Sequence, residues 1–283
     1  MRDLDAFTAM VYRQLKRWWS ARSRVLMTVV NPLIWMVFLG LGWGGIFGGS
    51  GIANIPGAPG LVDAIRSAIE SYFRQVFGGV SYVAFMVTGV VVMAAFMGSF
   101  ISGVSVIWDK QFGFLKETLV APARRGAVIL GRIVGDSIVT VLQSLIIIVL
   151  SLVVTDEINI ANTPVALAYV FTVSLGFTSL GVVIALGFRS MEGFQMVVNL
   201  MTMPLVFMSG VFYPVTTMPE WMKVFAKANP LTYAVHATRY WLTGSEAGFE
   251  YMNPATDAAI LLAFAVATLL LAVKKFEKTT LED

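Results

Sequence analysis

Six stretches of this chain hold no Asp, Glu, Lys or Arg: 25–47, 75–108, 137–155, 158–188, 193–219 and 258–273. A helix needs about 20 apolar residues to cross the hydrocarbon core of a bilayer. Strict apolar/polar alternation is missing from all six, so helices are expected rather than a barrel. Only 13% of the 283 residues are charged and 57% are hydrophobic. A soluble domain carries about 25% charged residues. Too little polar surface remains to solvate a globule of this size, and disorder, a collagen-like fibre and a disulfide scaffold are excluded with it. The chain has no cysteine, so its redox compartment cannot be read. We expect one all-α integral membrane domain, 1–283, with six transmembrane helices at 25–47, 78–107, 128–154, 164–188, 194–213 and 254–273.

An even number of spans puts both termini on one side, and the positive-inside rule decides which. Fifteen of the 20 Lys and Arg residues fall on the side of the termini, among them Arg13, Lys16, Arg17, Lys110, Arg124, Arg125 and Arg132. The other side holds Arg66, Arg74, Lys223, Lys227 and Arg239. Both termini are therefore expected in the cytoplasm, and no cleavable signal peptide is expected.

Three segments outside the spans have structure of their own. In 3–21, Leu4, Phe7, Val11, Leu15 and Trp18 repeat at helical spacing, which predicts an amphipathic helix lying in the interface. In the first outer loop, Val62, Ile65, Ile69, Phe73 and Val76 predict a second surface-lying helix. The last outer segment, 214–252, is too apolar for a solvated loop. Thr217-Met-Pro-Glu220 fits a capping box, and Asn229-Pro230 ends one helix and starts another. We expect a re-entrant helical pair before the last span, shielded by protein or a wet cavity. Gly40-x-x-x-Gly44 and Gly44-x-x-x-Gly48 permit close helix contact in the first span. Pro204 and Gly210 are candidate kinks in the fifth.

Familiar chemistries are missing. His236 is the only histidine, so no His/Cys metal site can be built from one chain, and His236 is read as a hydrogen-bonded structural residue. No serine has the glycines of a nucleophile elbow, and no Gly-Lys dipeptide exists for a phosphate-binding P-loop. No catalytic and no metal-binding residue is expected, and no nucleic-acid partner. Asp136 follows Arg132 by four residues, which predicts an ion pair on one helix face. Nothing resembles a proton relay, so an ATP-independent secondary transporter or membrane scaffold of the same topology is the runner-up. A membrane-embedded hydrolase is a weaker third.

The inner connection 109–125 has content of its own. Phe112, Leu115, Leu119 and Val120 form a short apolar stripe rimmed by Asp109, Lys110, Lys116 and Glu117, Pro122 ends it, and Arg124-Arg125 follow. An apolar knob with a charged rim is the anatomy of a small protein contact. A juxtamembrane turn with basic lipid contacts is the alternative.

Residues 109–122, Asp-Lys-Gln-Phe-Gly-Phe-Leu-Lys-Glu-Thr-Leu-Val-Ala-Pro, resemble the coupling loop of ABC-2 type transporter permeases. So do Ser209-Gly-Val-Phe-Tyr-Pro-Val-Thr-Thr-Met-Pro-Glu-Trp-Met222, Asn229-Pro-Leu-Thr-Tyr-Ala234 with Arg239, and Arg22-Ser-Arg24 before Asn31-Pro32. The resemblance covers essentially the whole chain, and the daunorubicin-resistance-like exporters are the nearest subgroup. Lys110-Gln111 and Ala123-Arg124 depart from the usual pattern, which bears on which contacts to a partner are charged.

The resemblance implies a homodimer of six-span subunits in the plasma membrane of a prokaryote. Each subunit would dock one copy of a separate ABC ATPase, which carries the ATP and Mg, with no cofactor on this chain. Phe112, Phe114, Leu115, Glu117, Leu119, Pro122 and Arg124 would form the coupling contact. Alternating access would export a lipophilic or amphiphilic substrate, whether drug-like, lipid or lipid-linked glycan. The family's first, second and fifth spans meet near the dimer axis, which makes Phe96, Asn199, Met203 and Phe207 cavity candidates. The re-entrant pair would form an extracellular lid with Trp221, Phe225, Asn229, Pro230 and Tyr233.

Overall fold

A computed structural model of the chain describes residues 2–47, 59–112, 123–188 and 190–278. Every regular element among them is helical. Five helical stretches are long and apolar enough to cross a membrane: Val30–Phe47, Tyr82–Gln111, Arg125–Ser151, Ile160–Ala185 and Pro254–Glu277.

Helix α1, Arg2–Ser20, is the amphipathic N-terminal element. Helix α2, Arg22–Trp35, contains Pro32. A π-helical segment, Met36–Leu41, follows it and runs on into α3, Gly42–Phe47. A proline cannot donate to the carbonyl four residues before it, and a π segment is one way a helix absorbs such a fault. Helix α4, Pro59–Val76, spans the apolar stripe from Val62 to Val76. Its C-terminal end is held by Glu157, which accepts from Arg74 Nη2 at 3.0 Å and from the Ser81 backbone N–H at 2.9 Å.

Ser81 caps α5, Tyr82–Ile101, through its hydroxyl oxygen to Ala84 N. This helix is buried on nearly every face, the signature of a central element. The break at Ser102-Gly103 separates it from α6, Val104–Gln111. Gly103 and Gly181 make the crossing possible. A Cβ on Gly103 would lie 2.5 Å from Gly181 O, and one on Gly181 would lie 2.6 Å from Phe100 O. Helix α7, Arg125–Ser151, and α8, Thr163–Ala185, complete the centre with α5. Phe96, Phe100, Phe177 and Phe264 form a continuous aromatic column there. Helix α12, Pro254–Glu277, packs on α8 and opens with a reciprocal cap between Asn253 and Thr256.

The helix at the expected fifth span differs from its expectation. Helix α9 is Met191–Phe207, 17 residues, about 25 Å at 1.5 Å per residue. It stops at Phe207 because Gly210, at φ 83°, turns the chain. Pro204 sits inside the helix near that end. Two short helices follow, α10, Glu220–Ala228, and α11, Pro230–Thr243. Asn229 separates them. Its Oδ1 accepts from Leu231 N at 3.0 Å, and its Nδ2 donates to Leu205 O at 2.7 Å, tying the pair to the end of α9. The expected Thr217 cap does not form. Thr217 Oγ1 donates to Pro214 O at 2.8 Å, and Pro219 precedes α10 without a side-chain cap. Thr217 lies in a 3₁₀ turn of its own, Val215–Thr217, so its hydroxyl is used before the helix begins.

Of the expected glycines, Gly44 lies close to α5, where an added Cβ would meet Val83 Cγ2 at 3.0 Å; no atom lies within 4 Å of a Cβ placed on Gly40, and Gly48 lies outside the described residues. Gly131 and Gly135 of α7 form a second groove, which seats α1. Their added Cβ atoms would meet Phe7 O at 2.5 Å and Gln14 Cβ at 3.0 Å.

Candidate functional site

The end of the bundle that carries α1 also carries the root of the 113–122 segment. Asp109, near the end of α6, is the hub. Its Oδ2 takes Arg132 Nη1 from α7 at 2.6 Å, and its Oδ1 takes Arg13 Nη2 from α1 at 3.2 Å. Arg132 Nη2 also donates to Ser105 Oγ at 2.6 Å. Arg132 is only 3% exposed, and a buried guanidinium is tolerated when paired and hydrogen-bonded. The expected partner was Asp136, one turn along the same helix. Arg132 turns to Asp109 instead, because α6 brings a carboxylate and a hydroxyl together across the helix interface.

Phe112 follows immediately and is 83% exposed. Phe114, Leu115, Glu117, Leu119 and Pro122 lie outside the described residues. The chain is described again just before α7, where Arg124 is tied back to α1. Asp3 Oδ1 accepts from Arg124 N at 2.9 Å, and Asp3 Oδ2 lies 3.4 Å from Arg124 Nε. Both ends of the segment are thus fastened to one amphipathic helix, by Arg13–Asp109 before it and Asp3–Arg124 after it. Arg17 of α1 adds a cation–π contact with Trp108 at 5.8 Å. These contacts fix both ends of the segment against α1.

A cavity of about 320 Å³ lies beside the clasp, between α1, α2, α5 and α7. Its wall includes Trp18, Asn31, Trp35, Met97, Asp136 and Gln143. None of the four expected cavity residues lines it. Phe96 is fully buried, edge-on to Phe177 at 4.7 Å between ring centroids; it belongs to the aromatic column with Phe100, Phe177 and Phe264. Asn199, Met203 and Phe207 are exposed on α9. Asn199 Oδ1 accepts from Gln195 Nε2 at 3.0 Å. Met196, Leu200, Met203 and Phe207 continue that apolar face.

At the far end, Trp221 and Phe225 are exposed on α10, while Asn229 and Tyr233 are buried and Pro230 is half-buried. Tyr233 Oη donates to Lys227 O at 2.7 Å. The Lys223 ammonium, 2.7 Å from Glu220 Oε1, holds that carboxyl below its usual range. His236 Nδ1 and Asp257 Oδ2 share a buried hydrogen bond of 2.6 Å. Arg239, read from sequence as an outer-side cation, is 2% exposed. It donates to Phe85 O, Thr88 Oγ1 and Gly210 O at 3.0–3.2 Å, with its guanidinium carbon 3.5 Å from the centre of the Phe85 ring.

Three features escaped the sequence reading: the Asp109 hub, the Arg239 staple and the α1 groove. The last had a visible signal, since Gly131 and Gly135 stand at small-xxx-small spacing. The other two join residues far apart in the chain, 23 positions for Arg132 and Asp109 and 154 for Arg239 and Phe85.

The ABC-2 type transporter family pattern matches residues 5–243. The chain is 27% identical over 242 residues to the ycf38 protein of Pyropia yezoensis, named a transport permease, covering 84% of this chain and 74% of that one. It is 30% identical over 189 residues to the daunorubicin resistance ABC transporter permease protein DrrB1 of Streptomyces coeruleorubidus, covering 62% and 65%. It is 25% identical over 190 residues to the inner membrane transport permease YadH of Escherichia coli K12, covering 67% and 72%. Proteins of this kind generally work with an ABC ATPase subunit. With its helical fold and its apolar helices, the chain belongs to the ABC-2 type transporter family and is a membrane permease of an ABC transporter.

Proposed function

We propose that this chain is the membrane subunit of an ATP-driven exporter, powered by a separate ATPase that docks on the 113–122 segment. The observation that carries the reading is the clasp: one amphipathic helix holds both ends of that segment through Asp109 and Arg124. A push on the segment would reach α1, α6 and α7 together. Phe112, Phe114, Leu115, Glu117, Leu119, Pro122 and Arg124 would make the contact, with ATP and Mg held by the partner. Two copies of each subunit would assemble, and the exposed face of α9 with Met203 and Phe207 is the surface on which a second copy would fit. Closure of the ATPases would then switch a bistable interface between two access states.

In this reading α9 completes a set of six spans, both termini are cytoplasmic as the charge bias requires, and the membrane is the plasma membrane of a prokaryote. Helices α10 and α11 dip into the outer leaflet as a lid. The substrate is lipophilic or amphiphilic. The name of the daunorubicin resistance relative supports a drug-like compound, and the apolar helices suit a lipid or lipid-linked glycan equally.

The test is to purify the tagged chain from its native membrane in mild detergent, with crosslinking, and assay for a co-purifying P-loop ATPase. Its capture by the wild type and loss from Leu119→Asp supports the reading. No ATPase in either sample would overturn it and return the chain to an ATP-independent role. Cysteine labelling of positions 110 and 223 from opposite sides checks the topology.

A further inference from the structure

The cavity of about 320 Å³ between α1, α2, α5 and α7 is at the lower end of the range for ligand sites. It has room for on the order of ten waters, at about 30 Å³ each. The wall is poorly made to hold them. Trp18, Trp35, Met93, Met97, Ile101 and Val139 line it with apolar bodies, and a buried water needs about three polar partners. The wall does not call for a charged occupant either, because Arg17 and Asp136 both already interact within the protein. Its hydroxyls are used as well. Ser105 Oγ donates to Ser102 O at 2.6 Å, and Thr140 Oγ1 donates to Asp136 O at 3.0 Å. Gln14 Nε2, Trp18 Nε1 and Ser102 Oγ have no hydrogen-bond partner among the described residues, but neighbouring atoms cover them, which puts them out of a ligand's reach. Gln143 is different. It lines the cavity from well inside the 27-residue α7 and is 7% exposed. Its amide makes no hydrogen bond among the described residues. Gly98 of α5 leaves the space in which that amide sits, since an added Cβ there would lie 3.3 Å from Gln143 Oε1. An amide offers two N–H donors and one carbonyl, and leaving them unpartnered in apolar surroundings is costly.

We propose that this cavity binds an uncharged, flat polycyclic aromatic molecule that carries a carbonyl oxygen. The Gln143 amide N–H donates to that carbonyl. The rings lie among Trp18, Trp35, Met93 and Met97, because indole rings and thioether sulfurs favour aromatic partners. A charge of either sign on the ligand would lose its water and find no counterpart. Met27, Asn31 and Trp35 line the cavity and are also exposed, so it opens along α2. That such a molecule is the transported substrate rests on the exporter reading; that it binds rests on the cavity alone.

The experiment is equilibrium dialysis of the purified full chain in detergent micelles against protein-free micelles, without nucleotide. The probes are 9-fluorenone and fluorene, which share a ring system and differ in the carbonyl. The expected result is saturable binding of one fluorenone per chain, about fivefold to tenfold tighter than fluorene. Gln143→Leu should bring fluorenone down to the level of fluorene and leave fluorene as tight as before. Ala94→Phe, which fills the cavity, should remove both. If Ala94→Phe fails to fold, Trp35→Ala at the opening serves instead and should weaken both probes alike. Three results would overturn the proposal: no saturable binding of either probe, as expected of a cavity that holds only water; fluorenone bound no tighter than fluorene; or binding unchanged in folded Gln143→Leu, Ala94→Phe or Trp35→Ala. Because ATP and partner are absent, a failure here leaves the exporter reading untouched, and a failure to capture an ATPase leaves the binding site untouched.

Discussion

Among the described residues two arginines are buried, one at each end of the bundle, and their partners differ in kind. Arg132 faces a carboxylate that it shares with Arg13, so three helices meet in one ion cluster. Arg239 faces backbone carbonyls, one hydroxyl and the face of Phe85, with no acidic group among its hydrogen-bond partners. These carbonyls belong to the backbone, Phe85 in α5 and Gly210 in the turn after α9, and cannot leave without moving the chain itself. A carboxylate on a side chain can be exchanged between two guanidiniums by a rotamer change. The far end is therefore stapled, and the α1 end is clasped. A clasp that can re-form in a second arrangement is what a coupling element needs, whereas a staple anchors the frame against which it moves.

The comparison is broken most severely at the staple. Arg239→Ala leaves the carbonyl of Gly210 without its buried donor and opens a cavity beneath α11. The expected loss is about 3–5 kcal/mol, read as a collapsed melting temperature and little monodisperse protein, at any salt concentration. The clasp should respond in a different currency. Asp109→Asn keeps the shape and removes the charge, with an expected loss of about 2–3 kcal/mol. The protein should stay folded, while substrate-stimulated ATPase activity of the assembled complex falls to its basal level. The double variant Asp109→Leu with Arg132→Met should recover most of that stability, as buried ion pairs often do when replaced by apolar groups, without recovering coupling. Recovery of both would show that the cluster serves packing alone.

A smaller effect is expected where α1 seats on α7. Gly135→Val forces Gln14 and Val11 away, at about 1–3 kcal/mol, and should raise the protease sensitivity of α1 before it alters the rest of the fold. Arg124→Ala removes a pair that is largely solvated, 86% exposed on the arginine side, and should cost about 0–1 kcal/mol. Smallest of all is the exposed pair on α10. Lys223 depresses the Glu220 carboxyl below its ordinary value of 4.5, so its contribution is present above that pH and is lost as pH falls through the lower folded value. Between pH 7 and 5 the melting temperature of Glu220→Gln should track the wild type, with any difference shrinking in stronger acid.

Local signals in the sequence coincide with local structure. The amphipathic stripe of 3–21 is α1, the stripe from Val62 to Val76 is α4, and Asn229-Pro230 is the junction of α10 and α11. His236 is hydrogen-bonded, as its surroundings suggested. Each of these depends on residues within a few positions of one another, where periodicity and capping chemistry act directly. The Thr217 cap was also a local reading, and it failed because a 3₁₀ turn claimed the hydroxyl first.

Composition and the six uncharged runs determined that this chain is helical and lives in a membrane, because a backbone in hydrocarbon must satisfy its own hydrogen bonds. Motifs at 109–122 and 209–239 determined the family. Neither could say which way an apolar helix faces. Helix α5 is apolar all round, so nothing in its sequence distinguishes Phe96, which is buried, from Met97, which lines the cavity. For Arg132 the sequence offered a carboxylate one turn away, and the fold supplied a better one from another helix. Helix neighbours, and with them the clasp, the staple and the cavity, follow from packing between segments far apart in the chain. That packing is decided by close approach at Gly103, Gly131, Gly135 and Gly181, where a single added methyl group would hold the helices apart.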